Sequence, residues 1–442
     1  MSEQLFPRED TLNPFEIRLA AGVRRLRWSA LMAGAVALVC MALALIAALF
    51  SPSLFDSLRS VLLFRYAGSA DTALAIVTLS LLANLSLFLV VAAGVIAREV
   101  WSIPALIGIG LLNTAALVAL GLTPALLMIA LLGWSSAGLF RDRQSFRVNP
   151  VALKELRGRM RGARAFLVLS VYLGLMSLFA ILIYLLVKGA SAGGLSSAAG
   201  EIGRMLFAGV VGIELLLIVF IAPAFTAGAI SGERERQTYD LLQTTLLSPS
   251  SFVFGKLESA LGYIMLLLLA GIPLQSIAFL FGGVSELELF MALLLLTVTS
   301  ILVGTIGIYY SAVLERTLAA SSRAYGVIIT ALVVLPTIIS GTLDIIRRIL
   351  LNNLGASPVL EAIVVYLQLI CTAINPLTSM LTTQQVLIER GTLAFWQYTL
   401  TSNGNFIPMP SAWILTVILY LAASAVLLAL AVRRARRSTE EL

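Results

Sequence analysis

The sequence predicts an all-α integral membrane protein that crosses the bilayer several times. Of its 442 residues, 60% are hydrophobic and only 12% are charged, and the mean hydropathy is +0.99. Soluble domains carry roughly 25% charged residues, so this composition excludes a soluble globular protein. The apolar residues are also grouped into runs close to the ~20 residues that a helix needs to cross the hydrocarbon core.

Composition limits the chemistry that the chain can perform. It has no histidine, which removes the commonest general base and metal ligand. The two cysteines, Cys40 and Cys371, lie in apolar surroundings and indicate neither a disulfide framework nor a metal cluster. The segment Gly255-Lys256-Leu257 lacks both the upstream glycine spacing and the hydroxyl residue of a phosphate-binding loop. We therefore expect no cofactor, ATP included, to bind this chain through such a loop.

The first 140 residues are predicted to form a surface helix followed by a four-span extension. Acidic residues and a proline near the start, and the length of the first apolar run, argue against a cleavable signal peptide. Residues 13–27 combine an apolar side with four arginines, which is typical of a helix lying on an anionic membrane surface. The predicted spans are 29–50, 72–97, 103–121 and 123–140.

Residues 141–442 form the predicted core, which opens on a very basic segment. Asn149-Pro150 is a helix-start signal, and we expect a second interfacial helix over 147–165. Nucleic-acid binding is the rival interpretation of these arginines, but basic clusters beside spans are ordinary topology signals. Six spans are predicted in the core, at 166–187, 204–230, 257–281, 288–312, 324–341 and 412–432.

The distribution of positive charge predicts the orientation of the chain. With the N-terminus inside, 23 of the 30 Lys and Arg residues fall on the inner side and 7 on the outer side. This bias predicts a multi-pass protein of the cell membrane with both termini in the cytoplasm. Region 342–411 would then lie outside. Its apolar stretch 357–380 would be an outer-leaflet helix or a re-entrant hairpin, since a further span would reverse the C-terminus.

A charged stretch of 26 residues, 231–256, lies between two apolar runs and is predicted to contain a cytoplasmic helix over 231–247. Ser231 is a plausible N-cap, and two glutamates suit the positive end of the helix dipole. Tyr239, Leu242 and Leu246 recur at helical spacing and predict an apolar stripe. The alternatives are a loop that packs on its own spans and a helix that binds a partner.

The order and spacing of residues in this stretch resemble the coupling segment of the ABC-2 family of ABC-transporter permeases. The resemblance is carried by the runs ERERQT at 233–238, LLQTT at 241–245, LSP at 247–249 and GK at 255–256, and by IAPA and AGAI in the preceding span. Residues 149–161 likewise resemble the elbow that opens such domains. One departure is Leu246, where the family usually has proline.

The resemblance implies a type V exporter-like permease, paired with a second copy or a sister subunit, that works with separate cytoplasmic ATPase subunits. ATP would bind those partner subunits. The helix at 231–247 would dock on an ATPase and transmit its movement to the adjoining spans. The residues that would make this contact are Glu233, Arg234, Glu235, Arg236, Thr238, Tyr239 and Leu242.

Glu214 is the clearest ionisable residue deep inside a predicted span. An acid at this depth is costly and suggests either a transport path or a carboxyl group bonded to a neighbouring helix. It also leaves open an ion-driven secondary transporter, which usually needs paired carboxylates. A membrane-embedded lipid-modifying enzyme is the third alternative, although the sequence lacks the clustered polar groups that such an enzyme requires.

Overall fold

The computed structural model describes residues 31–32, 35, 38–39, 70–119, 148–160, 163–190, 195–239, 249–353, 357–402 and 404–440. The predicted surface helix at 13–27 and the predicted span 123–140 lie outside these residues, as does most of 29–50. Within the described ranges the chain is helical apart from one β-hairpin, as expected for an all-α membrane protein.

The described residues form two compact units. The first draws on the ranges 1–67 and 83–149, and the second on 68–82 and 150–442. The contacts divide the chain between Asn149 and Pro150 and group residues 70–82 with the second unit, whereas the sequence predicts a core that begins at residue 141.

The first unit contains a helical hairpin with a tight turn. Helix α1 (Ala70–Ala97) ends in this unit, and helix α2 (Ser102–Ala119) follows it. Gly94 lies in α1 opposite Trp101, and a Cβ at this glycine would approach the indole ring to 2.8 Å. The turn is fixed by the Ser102 hydroxyl, which donates to the Glu99 carbonyl at 2.7 Å.

The second unit contains the remaining helices. In chain order they are α3 (Pro150–Met160), α4 (Ala163–Ala190), α5 (Leu195–Thr226), α6 (Ser231–Glu235), α7 (Pro249–Leu280), α8 (Glu286–Val313), α9 (Thr317–Ile329), α10 (Leu335–Asn353), α11 (Pro358–Ile374), α12 (Pro376–Arg390) and α13 (Ala412–Glu440). Strands β1 (Phe395–Thr399) and β2 (Phe406–Pro410) pair antiparallel, with Trp396 opposite Met409.

Seven helical segments in the described residues are long and apolar enough to cross a membrane. They are 71–97, 166–186, 200–235, 249–280, 286–313, 317–349 and 412–436. Each coincides with a predicted span, which confirms a polytopic helical membrane protein. Helix α8 is the most buried of the seven and packs against α5 and α13.

Helix α8 is positioned by a capping box at its N-terminus and by a close contact with α5. Ser285 and Glu288 form a capping box at its N-terminus, in which each side chain bonds the other residue's backbone N–H. Further along, a Cβ at Gly307 would lie 1.9 Å from the Thr226 hydroxyl. Only glycine permits this approach between α8 and the end of α5.

The apolar stretch predicted as an outer-leaflet helix or hairpin is a bent pair. Helices α11 and α12 meet at 120° at Asn375-Pro376. The Asn375 side chain accepts from the Leu377 N–H at 3.0 Å and Pro376 takes the first helical position, which starts the second helix in a new direction. The stretch is therefore not one straight helix.

One long helical segment changes its hydrogen-bonding pattern midway. Residues 330–334 form a π-helical turn between α9 and α10, and Pro336 lies two residues after its end. Proline lacks an N–H and clashes with the carbonyl four residues earlier, so a local widening of the helix relieves this strain.

Candidate functional site

The predicted helix over 231–247 is wrong as one continuous element. Helix α6 ends at Glu235, and Gln237 has a positive φ of 57°. Thr238 causes the break, because its N–H donates to the Glu233 carbonyl at 3.0 Å and its hydroxyl donates to the Glu233 carboxylate. Such side-chain bonds compete with helical ones. We call residues 231–238 the junction turn; residues 240–248 lie outside the described residues.

The start of the junction turn also differs from prediction. Ser231 is the first helical residue rather than the N-cap, and its hydroxyl donates to the Ala227 carbonyl at 3.1 Å. The cap comes from another helix instead. The Ser311 hydroxyl of α8 accepts from the backbone N–H groups of Ile230 at 2.8 Å and Ser231 at 3.0 Å. This bond holds the turn against α8.

Glu233 joins the junction turn to a partly buried ion-pair network. Its carboxylate accepts from the Lys256 ammonium group at 2.8 Å, and Lys256 also bonds the carboxylate of Glu155. The Lys256 side chain is 4% exposed. Ser259 donates to the second oxygen of Glu155 at 2.9 Å. The network therefore connects α3, α7 and the turn.

Arg159 adds a second cation to this network. It lies 3.4 Å from Glu155, donates to the Phe225 carbonyl at 3.2 Å, and stacks over the Phe225 ring at 4.9 Å. Burial lowers the pKa of Arg159 from its ordinary value, while the charge of Glu155 opposes that change. Two carboxylates thus face two cations, and the Arg159 contacts extend the network to the end of α5.

Glu235 connects the junction turn to a different helix. Its carboxylate accepts from the backbone N–H of Thr317 at 2.8 Å and from the Thr317 hydroxyl. Thr317 is the first residue of α9, and Arg316 at the cap position makes no side-chain capping bond. Glu235 therefore caps α9 from outside the helix, where a carboxylate also suits the helix dipole.

Tyr239 does not form the exposed docking contact that the sequence predicted. It is only 6% exposed, and its ring packs edge-to-face on Phe252 with ring centroids 6.0 Å apart. The guanidinium group of Arg234 stacks over the Tyr239 ring, 4.8 Å from its centroid. Leu242 lies outside the described residues. On the junction turn, the exposed residues are Glu235, Arg236 and Gln237.

The sequence analysis missed the partners of the two glutamates. Glu155 and Lys256 both occur in the stretches that carry the family resemblance, but nothing in their spacing indicates that they meet. They are 101 residues apart in the chain. Two signals were available: Lys256 is a cation at the start of a span, and Glu155 is an acid in a basic amphipathic helix. Neither signal specifies a partner.

Glu214 forms a second polar site between α4, α5 and α7. Its side chain is almost fully buried and accepts from the Gln275 amide at 2.5 Å and the Tyr172 hydroxyl at 3.3 Å. Gly271 makes room for it, because a Cβ there would lie 2.0 Å from the carboxylate. The interhelical hydrogen bonds that the sequence suggested are present, and a role in a transport path stays a prediction. In the described ranges, no three His, Cys, Asp or Glu side chains are grouped to hold a metal ion.

Comparison with known proteins identifies no relative, since no protein-family model matches the chain and no curated protein matches it significantly. Its function is therefore inferred from its own residues.

Proposed function

We propose that this chain is the transmembrane permease subunit of an ATP-driven ABC exporter of the ABC-2 type, a cell-membrane protein with cytoplasmic termini. Separate cytoplasmic ATPase subunits would bind at the junction turn, and a second copy or a sister permease would complete the transporter. The observation that carries the proposal is the pair of carboxylates on this turn. Glu233 bonds Lys256 of α7, and Glu235 bonds Thr317 of α9.

These bonds make the junction turn suited to transmitting force. A polar loop that is not bonded to the helices could move without moving them, whereas this turn is bonded to α7, α8 and α9 and is separated from α5 by only four residues. A displacement of the turn must therefore move those helices or break the bonds. Closure of an ATPase pair on the turn would supply that displacement in the export cycle.

The structure changes which residues are expected to meet the ATPase. Tyr239 and Glu233 are engaged inside the chain, so they support the turn instead of contacting a partner. The exposed side chains of Arg236 and Gln237 are the docking surface in this proposal. Exposed ion pairs contribute only about 0–1 kcal/mol each, so reversing a charge is a sharper test than removing one.

The test is co-purification of the full-length tagged chain from its native membrane. We expect an ATPase with a phosphate-binding loop to co-purify with the wild-type chain, and Arg236→Glu to reduce its yield several-fold. Arg348→Glu is the matched control, because Arg348 is exposed in the predicted outer region. Absence of any such ATPase, or equal recovery with Arg236→Glu and the wild type, would contradict the proposal.

The Glu214 site favours one second candidate, an ion-driven secondary transporter. A carboxylate buried between three apolar helices is the kind of group that binds a coupling ion. The two functions differ in their energy source. Uptake or release driven by an ion gradient in proteoliposomes that contain only this chain would support the second candidate, and a requirement for ATP and a partner ATPase would exclude it.

A further inference from the structure

A cleft in the second unit brings together four segments that the charge bias places on the outer side. Its volume is about 390 Å³, within the roughly 300–1,000 Å³ of small-molecule sites. The walls come from the start of α1, from α5, from the α7–α8 turn with the start of α8, and from the end of α12 with the chain that follows it. Apolar side chains such as Val284, Leu387 and Leu393 form part of the lining.

Three charged residues line this cleft, and they come from different segments. Arg204 belongs to α5, Asp71 to the first turn of α1, and Glu288 to the first turn of α8. Within the described part of the chain, Arg204 makes no ion pair with either acid. A cation and a carboxylate therefore line one cavity without neutralising each other directly.

The orientation of Arg204 is fixed by the glycine turn between α7 and α8. Its Nε donates to the Gly283 carbonyl at 2.8 Å, which leaves its two terminal amino groups for another acceptor. The turn and α5 approach closely because both have glycine at the crossing: a Cβ at Gly203 of α5 would lie 2.0 Å from the Gly282 carbonyl oxygen, and a Cβ at Gly283 would lie 2.2 Å from the Gly200 carbonyl oxygen. Gly282 and Gly283 also have positive φ values of 84° and 83°, which glycine adopts without strain.

We propose that this cleft binds a small zwitterion that carries an ammonium group and a phosphate, of the phosphoethanolamine type. The phosphate binds the guanidinium group of Arg204, whose planar fork matches phosphate oxygens. The ammonium group binds Asp71. Glu288 is committed to the capping box of α8, so Asp71 is the carboxylate assigned to the ligand.

Two sources present this chemistry, a free solute and the headgroup of an outer-leaflet lipid. The site does not depend on the ABC exporter proposal, since neither Arg204 nor Asp71 contacts the junction turn or an ATPase. Failure of one proposal therefore leaves the other testable.

The first experiment measures binding of O-phosphoethanolamine to the purified full-length chain in detergent by isothermal titration calorimetry. We expect saturable binding, and loss of one charge-assisted contact should weaken it about tenfold or more in Asp71→Asn and in Arg204→Gln. Ethyl phosphate, which lacks the ammonium group, should bind the wild type weakly and be unaffected by Asp71→Asn. Arg348→Gln is the control and should bind like the wild type.

The second experiment compares nanodiscs of phosphatidylcholine with and without phosphatidylethanolamine. Weaker binding of O-phosphoethanolamine in the nanodiscs that contain phosphatidylethanolamine would show that the lipid headgroup competes for the cleft, and would identify the lipid as the ligand source. Equal binding in the two kinds of nanodisc would identify the free solute. Either result supports the site. Absence of saturable binding in detergent and in both nanodiscs would overturn the proposal. Wild-type affinity in the folded Asp71→Asn variant would do so as well.

Discussion

Lys256 is the centre of the network that fixes the junction turn, and its replacement by methionine tests that network directly. Methionine has a similar length but no charge, so Lys256→Met leaves the carboxylates of Glu155 and Glu233 facing each other without their shared cation. Breaking a fully buried pair costs about 3–5 kcal/mol. Here the side chains of Glu155 and Glu233 are 21% and 27% exposed, and Arg159 still contacts Glu155.

Solvent screening and the remaining cation lower the expected cost. We predict that Lys256→Met reduces the free energy of unfolding by about 1.5–3 kcal/mol, between an exposed and a fully buried pair. The assay is equilibrium unfolding of the purified chain in mixed SDS and detergent micelles. Glu233→Gln should cost less in the Lys256→Met background than in the wild type, because the lost cation was its main partner.

A double-mutant cycle with a matched control separates this interaction from general damage. The coupling energy between Lys256 and Glu233 should be about 1 kcal/mol or more, whereas Lys256 and Glu235, which do not touch, should couple by less than about 0.5 kcal/mol. Equal coupling for the two pairs would refute the role assigned to the network. Lys256→Met should also uncouple ATP hydrolysis from transport in the proposed transporter.

Three further predictions follow from other features. Glu214→Gln should lower transport while the chain stays folded. Gly271→Ala should lower the free energy of unfolding by about 1–3 kcal/mol, because the added methyl group overpacks against the Glu214 carboxylate. If Glu214→Gln also unfolds the protein in the same micelle assay, the role of Glu214 is structural. Tyr239→Ala should cost about 3 kcal/mol, as expected for a buried aromatic side chain, and near-wild-type stability would show that the tyrosine is not packed as described. In a cysteine-free chain, a cysteine placed after residue 437 should react with an impermeant maleimide only after the cells are permeabilised. The control variant Ser402→Cys, in the predicted outer region, should react in intact cells. Labelling of the C-terminal cysteine in intact cells would refute the predicted topology.

The long helices could be predicted because their signal is local. An apolar run of about 20 residues is specified by neighbouring side chains, and the helix-start signal Asn149-Pro150 marks a helix that begins at Pro150 in the structure.

The junction turn could not be predicted in the same way. The spacing of Tyr239, Leu242 and Leu246 fits a helix, but this pattern does not indicate that Thr238 bonds Glu233 and ends the helix. An apolar stripe also does not specify what covers it, and Phe252 of the same chain covers Tyr239. The partners of Glu233 and Glu235 are distant in sequence, and only the packing of α3, α7 and α9 brings them near.

The π-helical turn has a consequence for insertions and deletions. Buried residues before and through it recur every fourth position, at Ala320, Ala324, Ile328, Leu332 and Pro336. An α-helix repeats every 3.6 residues, so this spacing drifts steadily off one face unless an extra residue is absorbed. Removing one residue from 330–334 would restore regular α-helical winding and keep the following residues on about the same face, because the wider turn accommodates one extra residue. Arg347, which bonds the Tyr398 hydroxyl at 3.1 Å, would still face the hairpin. A deletion in α9 or α10 outside this turn would instead rotate everything after it by about 100° and should be the more harmful of the two.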